Sequence, residues 1–207
     1  MADKFIDRIY STTGSDEMRA VYDDWADEYD DDLRSRNYLT PQRVAEALNR
    51  FCTDSASRIL DFGCGSGLSG IALHAAGFSE IHGADISEAM LELARRKSLY
   101  SHLWLLQADQ PLPFNRGDYQ IVTAAGAISN GAAPGALYDQ VLEILLPGAL
   151  FVFSFNDESL KMDEYAGRLH ASLDANKARV LFKEHGPHFD HAGDTIGSTV
   201  FVVEKLT

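Results

Sequence analysis

Three glycines at alternate positions follow an apolar run that contains an acid: Ile59-Leu60-Asp61-Phe62-Gly63-Cys64-Gly65-Ser66-Gly67. The run has the make-up of a short buried strand. Glycines beyond it permit a tight turn and let a ligand lie against bare backbone. Residues 68–76 are apolar and read as a helix, whose free N–H groups face the same ligand. The arrangement predicts a nucleotide- or nucleoside-binding corner. Gly65, Gly67 and Gly70 also fit the dinucleotide spacing G-x-G-x-x-G, and Asp85 lies 20 residues after Gly65. On spacing alone NAD therefore fits as well as a nucleoside. Asp85 ends a predicted strand at its carboxyl edge, where open α/β sheets bind ligands, and its carboxylate can accept both hydroxyls of a ribose. Ser87 is placed to cap the next helix, which leaves Asp85 for the ligand.

A second set of polar residues invites a different chemistry. His185, His188 and His191 lie in one short stretch with Asp190. In a regular strand, residues three apart point to opposite faces, so His185 and His188 do not converge on a metal. No metal site is predicted, and His185 and His188 remain weak candidates for a general base. The two cysteines, Cys52 and Cys64, have neither metal-ligand nor disulfide-framework spacing, and point to a reducing, cytoplasmic setting.

The elements that must hold these residues alternate. Strands are predicted at 58–62, 81–85, 103–107, 119–124 and 150–155, with helices at 42–51, 68–76, 87–97 and 135–145 between and before them. That alternation implies a parallel sheet with helices on both faces. Residues 158–175 read as a helix. Two further strands, at 179–185 and 198–206, are joined by a loop too short for a parallel crossover and must pair antiparallel. Residues 1–35 are polar, acidic and helical in pattern, with Tyr22, Trp25 and Tyr29 on one face. The chain of 207 residues, 45% hydrophobic, suits one domain with a sizeable core. Its net charge of −13 argues against a nucleic-acid backbone or an anionic membrane as partner. The N-terminal stretch has no long apolar core, so no signal peptide is expected, and no run is long enough to span a bilayer.

The ordered set Leu60-Asp61-Phe62-Gly63-Cys64-Gly65-Ser66-Gly67, Gly83-Ala84-Asp85-Ile86-Ser87, Gln107-Ala108-Asp109 and Leu145-Leu146-Pro147-Gly148-Ala149-Leu150-Phe151, closed by an antiparallel strand, resembles the class I S-adenosylmethionine-dependent methyltransferases. The likeness covers about residues 22–206. The segment from Tyr22 to Asp30 and the run from Gly126 to Gly131 are similar to the methyltransferase-like Williams–Beuren region group, small-molecule enzymes of the type 11/12 kind. The resemblance implies a seven-stranded, doubly wound, Rossmann-like α/β sheet with an antiparallel last strand. It also implies a helical lid over residues 1–52 and a donor-binding core over 53–207.

It further implies a donor site. Asp61 and the backbone of Gly63, Cys64, Gly65 and Gly67 would meet the methionine part. Asp85 would take the ribose, and Ile86 and Met90 would pack beside the nucleoside. Asp109 would accept from the adenine amino group beside the backbone of Ala108 and Gln110. Ala124 and Ala125 would leave room for the reacting methyl, and Tyr22, Trp25 and Tyr29 would close the lid. The acid run from Asp23 to Asp32 reads most simply as a solvated face, with attraction of a cationic acceptor as a weaker reading. The expected activity is methyl transfer by in-line displacement from S-adenosylmethionine to a small-molecule acceptor, by a monomer or homodimer. An NAD-dependent Rossmann oxidoreductase and a non-catalytic donor-binding protein are the alternatives.

Overall fold

The computed structural model describes residues 8, 9, 12, 14–108 and 110–207. Seven strands form one sheet, in the order β3-β2-β1-β4-β5-β7-β6. They are β1 (Ile59–Phe62), β2 (Ile81–Asp85), β3 (His102–Leu105), β4 (Ile121–Ala124), β5 (Leu150–Asn156), β6 (Ala178–Pro187) and β7 (Gly197–Lys205). Strands β1 to β5 pair in parallel, while β7 runs antiparallel to both β5 and β6. The seven-stranded, doubly wound sheet expected from the sequence is the sheet found. The strand order reverses between β1 and β4, and a crevice opens there beyond the carboxyl ends of the strands.

Strands in the middle of such a sheet are covered on both faces and read as unbroken apolar runs. Alternation then sorts their side chains. Leu60, Val122, Phe151, Phe153 and Phe201 face one core, with Tyr138, Val141 and Leu142 of α5 (Ala136–Ile144) and Leu169 of α6 (Arg168–Asp174). Ile59, Ile121, Val152, Val200 and Val202 face the other, with Val44, Ala45 and Leu48 of α2 (Thr40–Asn49) and Leu73 of α3 (Leu68–Ala75). A third, smaller cluster joins Trp25 and Leu33 of α1 (Ser15–Ser35) to Phe189, with Tyr22, Tyr29 and Tyr38 packed around it. The remaining helix, α4 (Glu88–Lys97), is capped by Ser87, whose Oγ accepts from the Met90 N–H at 3.1 Å.

One predicted element is broken. The helix expected over 158–175 divides into a 3₁₀ turn (Ser159–Lys161), a π turn (Asp163–Gly167) and α6. Met162 between the turns is extended, at φ −104° and ψ 128°. The π turn is wedged against the start of α5, where the Gly135 N–H donates to Glu164 Oε1 at 3.1 Å and a Cβ on Gly135 would meet the Glu164 carbonyl. Helical periodicity carries no record of such a tertiary contact. Among the described residues, no helix is long and apolar enough to cross a membrane.

Candidate functional site

The crevice at the switch point holds three adjoining chambers beneath α1. The first lies between the turn after β1, the end of β2 and the loop after β4, with Gly63, Gly65, Asp85, Met90 and Ala125 in its wall. The second shares Phe62, Ile86 and Leu106 with it and extends to Ala108 and Gln110. The third shares Tyr22, Tyr29, Tyr38 and Gly126 with the first and extends to Arg36, Asn156 and His188.

Asp85 sits at the carboxyl edge of β2 with its carboxylate oriented by two backbone donors. Gly65 N–H reaches Oδ2 at 2.8 Å and Ser87 N–H reaches Oδ1 at 3.0 Å. Burial raises the pKa of Asp85 above the ordinary carboxylate value, and these two N–H groups favour the charged form in opposition. Each carboxylate oxygen keeps acceptor capacity for a further donor. Gly65 has φ +52°, and a Cβ built on it meets nothing within 4 Å, so open space lies against its backbone. Gly63 is confined: at φ +66° its Cβ would lie 2.3 Å from that of Ala127.

Asp61 is set apart from the other residues expected at the donor site. It is fully buried and lines none of these chambers. Alternation along β1 turns it with Ile59 toward the face that carries α2 and α3. There its carboxylate accepts from Ser69 Oγ at 2.6 Å, the Tyr100 hydroxyl at 2.7 Å and Thr123 Oγ1 at 3.1 Å. Burial, partly offset by these three bonds, raises its pKa to about 6. The carboxylate thus ties β1 to α3 and β4 beneath the glycine turn.

Cys64 is also buried, and burial pushes its thiol well above the usual value, so the thiol stays protonated. Gly67 serves as the left-handed entry to α3, at φ 97°. Ala124 is fully buried. Neither Cys64, Gly67 nor Ala124 lines the chambers. Asp109 lies outside the described residues.

Helix α1 spans the mouth of the crevice. Tyr22, Trp25 and Tyr29 pack on one another, with Trp25 and Tyr29 edge to face at 4.7 Å between ring centroids. The Tyr22 hydroxyl donates to the Gly131 carbonyl at 3.3 Å on the β4 side. On the opposite side Asp23 accepts from Ser87 Oγ, and Asp30 accepts from Ser66 Oγ. Lys97 Nζ donates to Asp30 Oδ2 at 2.6 Å and to the Ser66 carbonyl at 2.7 Å. Part of the acid run is therefore a set of latches rather than only a solvated face. The Asp30–Lys97 pair is largely covered, with side chains 25% and 20% exposed, so it is worth more than an open surface pair, about 1 kcal/mol. In the Lys97→Met variant, hydrogen exchange of the α1 amides is expected to speed up about fivefold, with the sheet amides unchanged. Equal exchange in the two proteins would remove the latch.

His185 and His188 part company, as alternation requires. His185 Nε2 pairs with Asp157 Oδ1 at 2.9 Å near the surface. His188 lies in the wall of the third chamber, with Nδ1 2.8 Å from Thr40 Oγ1. Burial, with Arg36 and Arg43 nearby, lowers its pKa to about 4, so the ring is neutral at pH 7. A group so far below neutrality is a weak proton acceptor.

Sequence reasoning missed Met18, Tyr38, Leu106, Ala127 and Leu137 in the first chamber. Met18 lies one helical turn before Tyr22, so the spacing of α1 carried that signal. Tyr38 enters from a bridge with Phe189, some 150 residues away in the chain, and had no local signal.

The methyltransferase domain family matches residues 59–148. Over 156 residues the chain is 35% identical to human methyltransferase-like protein 27, a match that covers 74% of this chain and 63% of that protein. A probable 18S rRNA (guanine-N(7))-methyltransferase of Dictyostelium discoideum is 30% identical over 109 residues, covering 47% of this chain and 38% of that one. The chain thus spans less than two thirds of the length of these curated relatives. Among solved structures, a chain from the complex between the Haloferax volcanii Trm112 methyltransferase activator and a methyltransferase superposes with a TM-score of 0.65. It is 17% identical and covers 90% of this chain and 98% of its own. That likeness is one of fold.

Proposed function

Because the chain belongs to the class I S-adenosylmethionine-dependent methyltransferase family, we propose that it transfers a methyl group from that donor to a small-molecule acceptor. The observation that carries the reading is the Asp85 carboxylate, held by two N–H groups in a crevice that continues on either side of it. Asp85 takes both ribose hydroxyls. Phe62, Ile86 and Leu106 hold the base apolar-side in, in the chamber that runs to Ala108 and Gln110, and Asp109 accepts from its amino group. The open backbone at Gly65 leaves room for the amino-acid part. We assign residues 1–52 the part of a lid, with Tyr22 and Tyr29 as its inner surface.

When bound, the donor supplies an electrophilic sulfonium methyl. The protein's share is alignment and the exclusion of water. The third chamber adjoins the first through Tyr22, Tyr29, Tyr38 and Gly126, which makes it the place for the acceptor. With the α1 latches in place and a net charge of −13, a small molecule suits it better than an RNA strand. The free thiols of Cys52 and Cys64 suit a reducing, cytoplasmic compartment.

Calorimetric titration tests the donor assignment. Saturable binding of S-adenosylhomocysteine, with none of NADH, is expected. Binding of NADH in its place would reverse the assignment. Transfer of a labelled methyl to a metabolite extract but not to bulk RNA is the matching test of the acceptor.

A further inference from the structure

We propose that the third chamber takes a small, flat acceptor bearing a carboxylate, with Arg36 as its charged anchor. The proposal rests on the donor reading above and extends it to the acceptor class. Arg36 closes the C-terminal end of α1 and lines this chamber. Its Nε donates to Asp194 Oδ2 at 3.2 Å and its Nη2 to Asp194 Oδ1, while its carbon lies 4.0 Å from the centre of the Phe189 ring. The third nitrogen, Nη1, is buried and has no hydrogen-bond partner among the described residues. A buried donor on a charged group that is left unmade is expensive, and a small turn of the guanidinium toward the chamber lets a ligand oxygen relieve it.

The composition of the wall selects the sign of that oxygen. The chain carries 31 acidic residues against 18 Lys and Arg. Yet the described residues lining this chamber include Arg36 and no aspartate or glutamate. Asp23, Asp30 and Asp32 of the acid run are engaged elsewhere, with Ser87, Ser66, Lys97 and the Trp25 indole. Asp194 is occupied by Arg36 and lies outside the lining, so a cationic acceptor finds no unpaired carboxylate among the described residues of this wall.

His188 adds a second donor. Arg43 can only donate, and its Nη1 reaches Ser198 Oγ at 2.9 Å. Ser198 Oγ lies 3.0 Å from Thr40 Oγ1, which lies 2.8 Å from His188 Nδ1. The assignment that satisfies each hydroxyl sends the protons from Ser198 to Thr40 and from Thr40 to Nδ1. The proton of the neutral ring then sits on Nε2. His188 thus joins Arg36 as a donor rather than acting as a base. The aromatic side chains of Tyr22, Trp25 and Phe189 supply flat apolar walls for the body of the acceptor.

The test uses the full chain saturated with S-adenosylhomocysteine, titrated with benzoate, benzamide and benzylamine as probes. Benzoate is expected to bind at least about tenfold more tightly than benzamide, and benzylamine not at all. Arg36→Met is expected to abolish that preference, and Arg36→Lys to restore part of it, with S-adenosylhomocysteine affinity within about twofold of wild type throughout. Equal binding of benzoate and benzamide by the wild-type protein overturns the anchor, and needs no variant to fold. So does benzoate affinity unchanged in Arg36→Met. Absence of S-adenosylhomocysteine binding at the outset would instead overturn the donor reading on which the anchor stands.

Discussion

Asp85→Ala is expected to weaken S-adenosylhomocysteine binding by about 100-fold, equivalent to about 3 kcal/mol. Two ribose hydroxyls lose a charged acceptor, and each such bond is worth roughly 1.5–3 kcal/mol. The Gly65 and Ser87 N–H groups, which now donate to the carboxylate at 2.8 and 3.0 Å, are released together, so the glycine turn loosens as well. Asp85→Asn separates these effects. The amide oxygen can still accept from one N–H, yet its NH₂ cannot accept a hydroxyl, so binding falls by about tenfold or more with little loss of stability. Calorimetry checks both variants, and an affinity within twofold of wild type in Asp85→Ala would place the ribose elsewhere.

The second large effect concerns the fold. Asp61→Ala leaves three buried hydroxyls, on Ser69, Tyr100 and Thr123, without their acceptor. At about 1 kcal/mol or more for each, the loss is about 3 kcal/mol, or roughly 6–12 °C in Tm for a chain of this size. The pH dependence has a definite sign. The folded pKa is raised to about 6 from the ordinary 3.8. The folded protein thus holds a proton at Asp61 that the unfolded chain has already released. The stability this group contributes is fully present below about pH 4 and is lost as pH rises toward 6. That loss amounts to about 3 kcal/mol at neutral pH. Asp61→Asn, which carries no titratable proton, should flatten this part of the curve. Denaturant melts of both proteins at pH 4.5 and 7 measure it. A slope unchanged by Asp61→Asn would mean that another group carries the dependence.

The sheet was legible because its strands are short apolar runs bounded by turn residues, and their order along the chain allowed few topologies. The run 81–85 and the capping serine at 87 needed only neighbours a few residues away. The π turn at Asp163–Gly167 was hidden because its cause, the contact with Gly135, lies about 30 residues back in the chain. The latches at Asp23 and Asp30 were hidden for the same reason. A carboxylate in an acidic run looks solvated until a distant serine or lysine meets it.

Asp61 and Asp85 show where the division falls. Each is an acid in or at the end of a predicted strand, and the resemblance assigned both to the ligand. The two part because of strand geometry. Asp85 is the last residue of β2 and emerges at the edge of the sheet, whereas Asp61 stands one residue before the end of β1 and is turned onto a covered face. The residues themselves determined the sheet, the glycine turn and the acid beside it, since these depend on local pattern and on backbone freedom. Tertiary packing alone decided which acid reaches the crevice, which holds the sheet together and where an arginine is left with a free donor. Those outcomes depend on contacts between segments far apart in the chain.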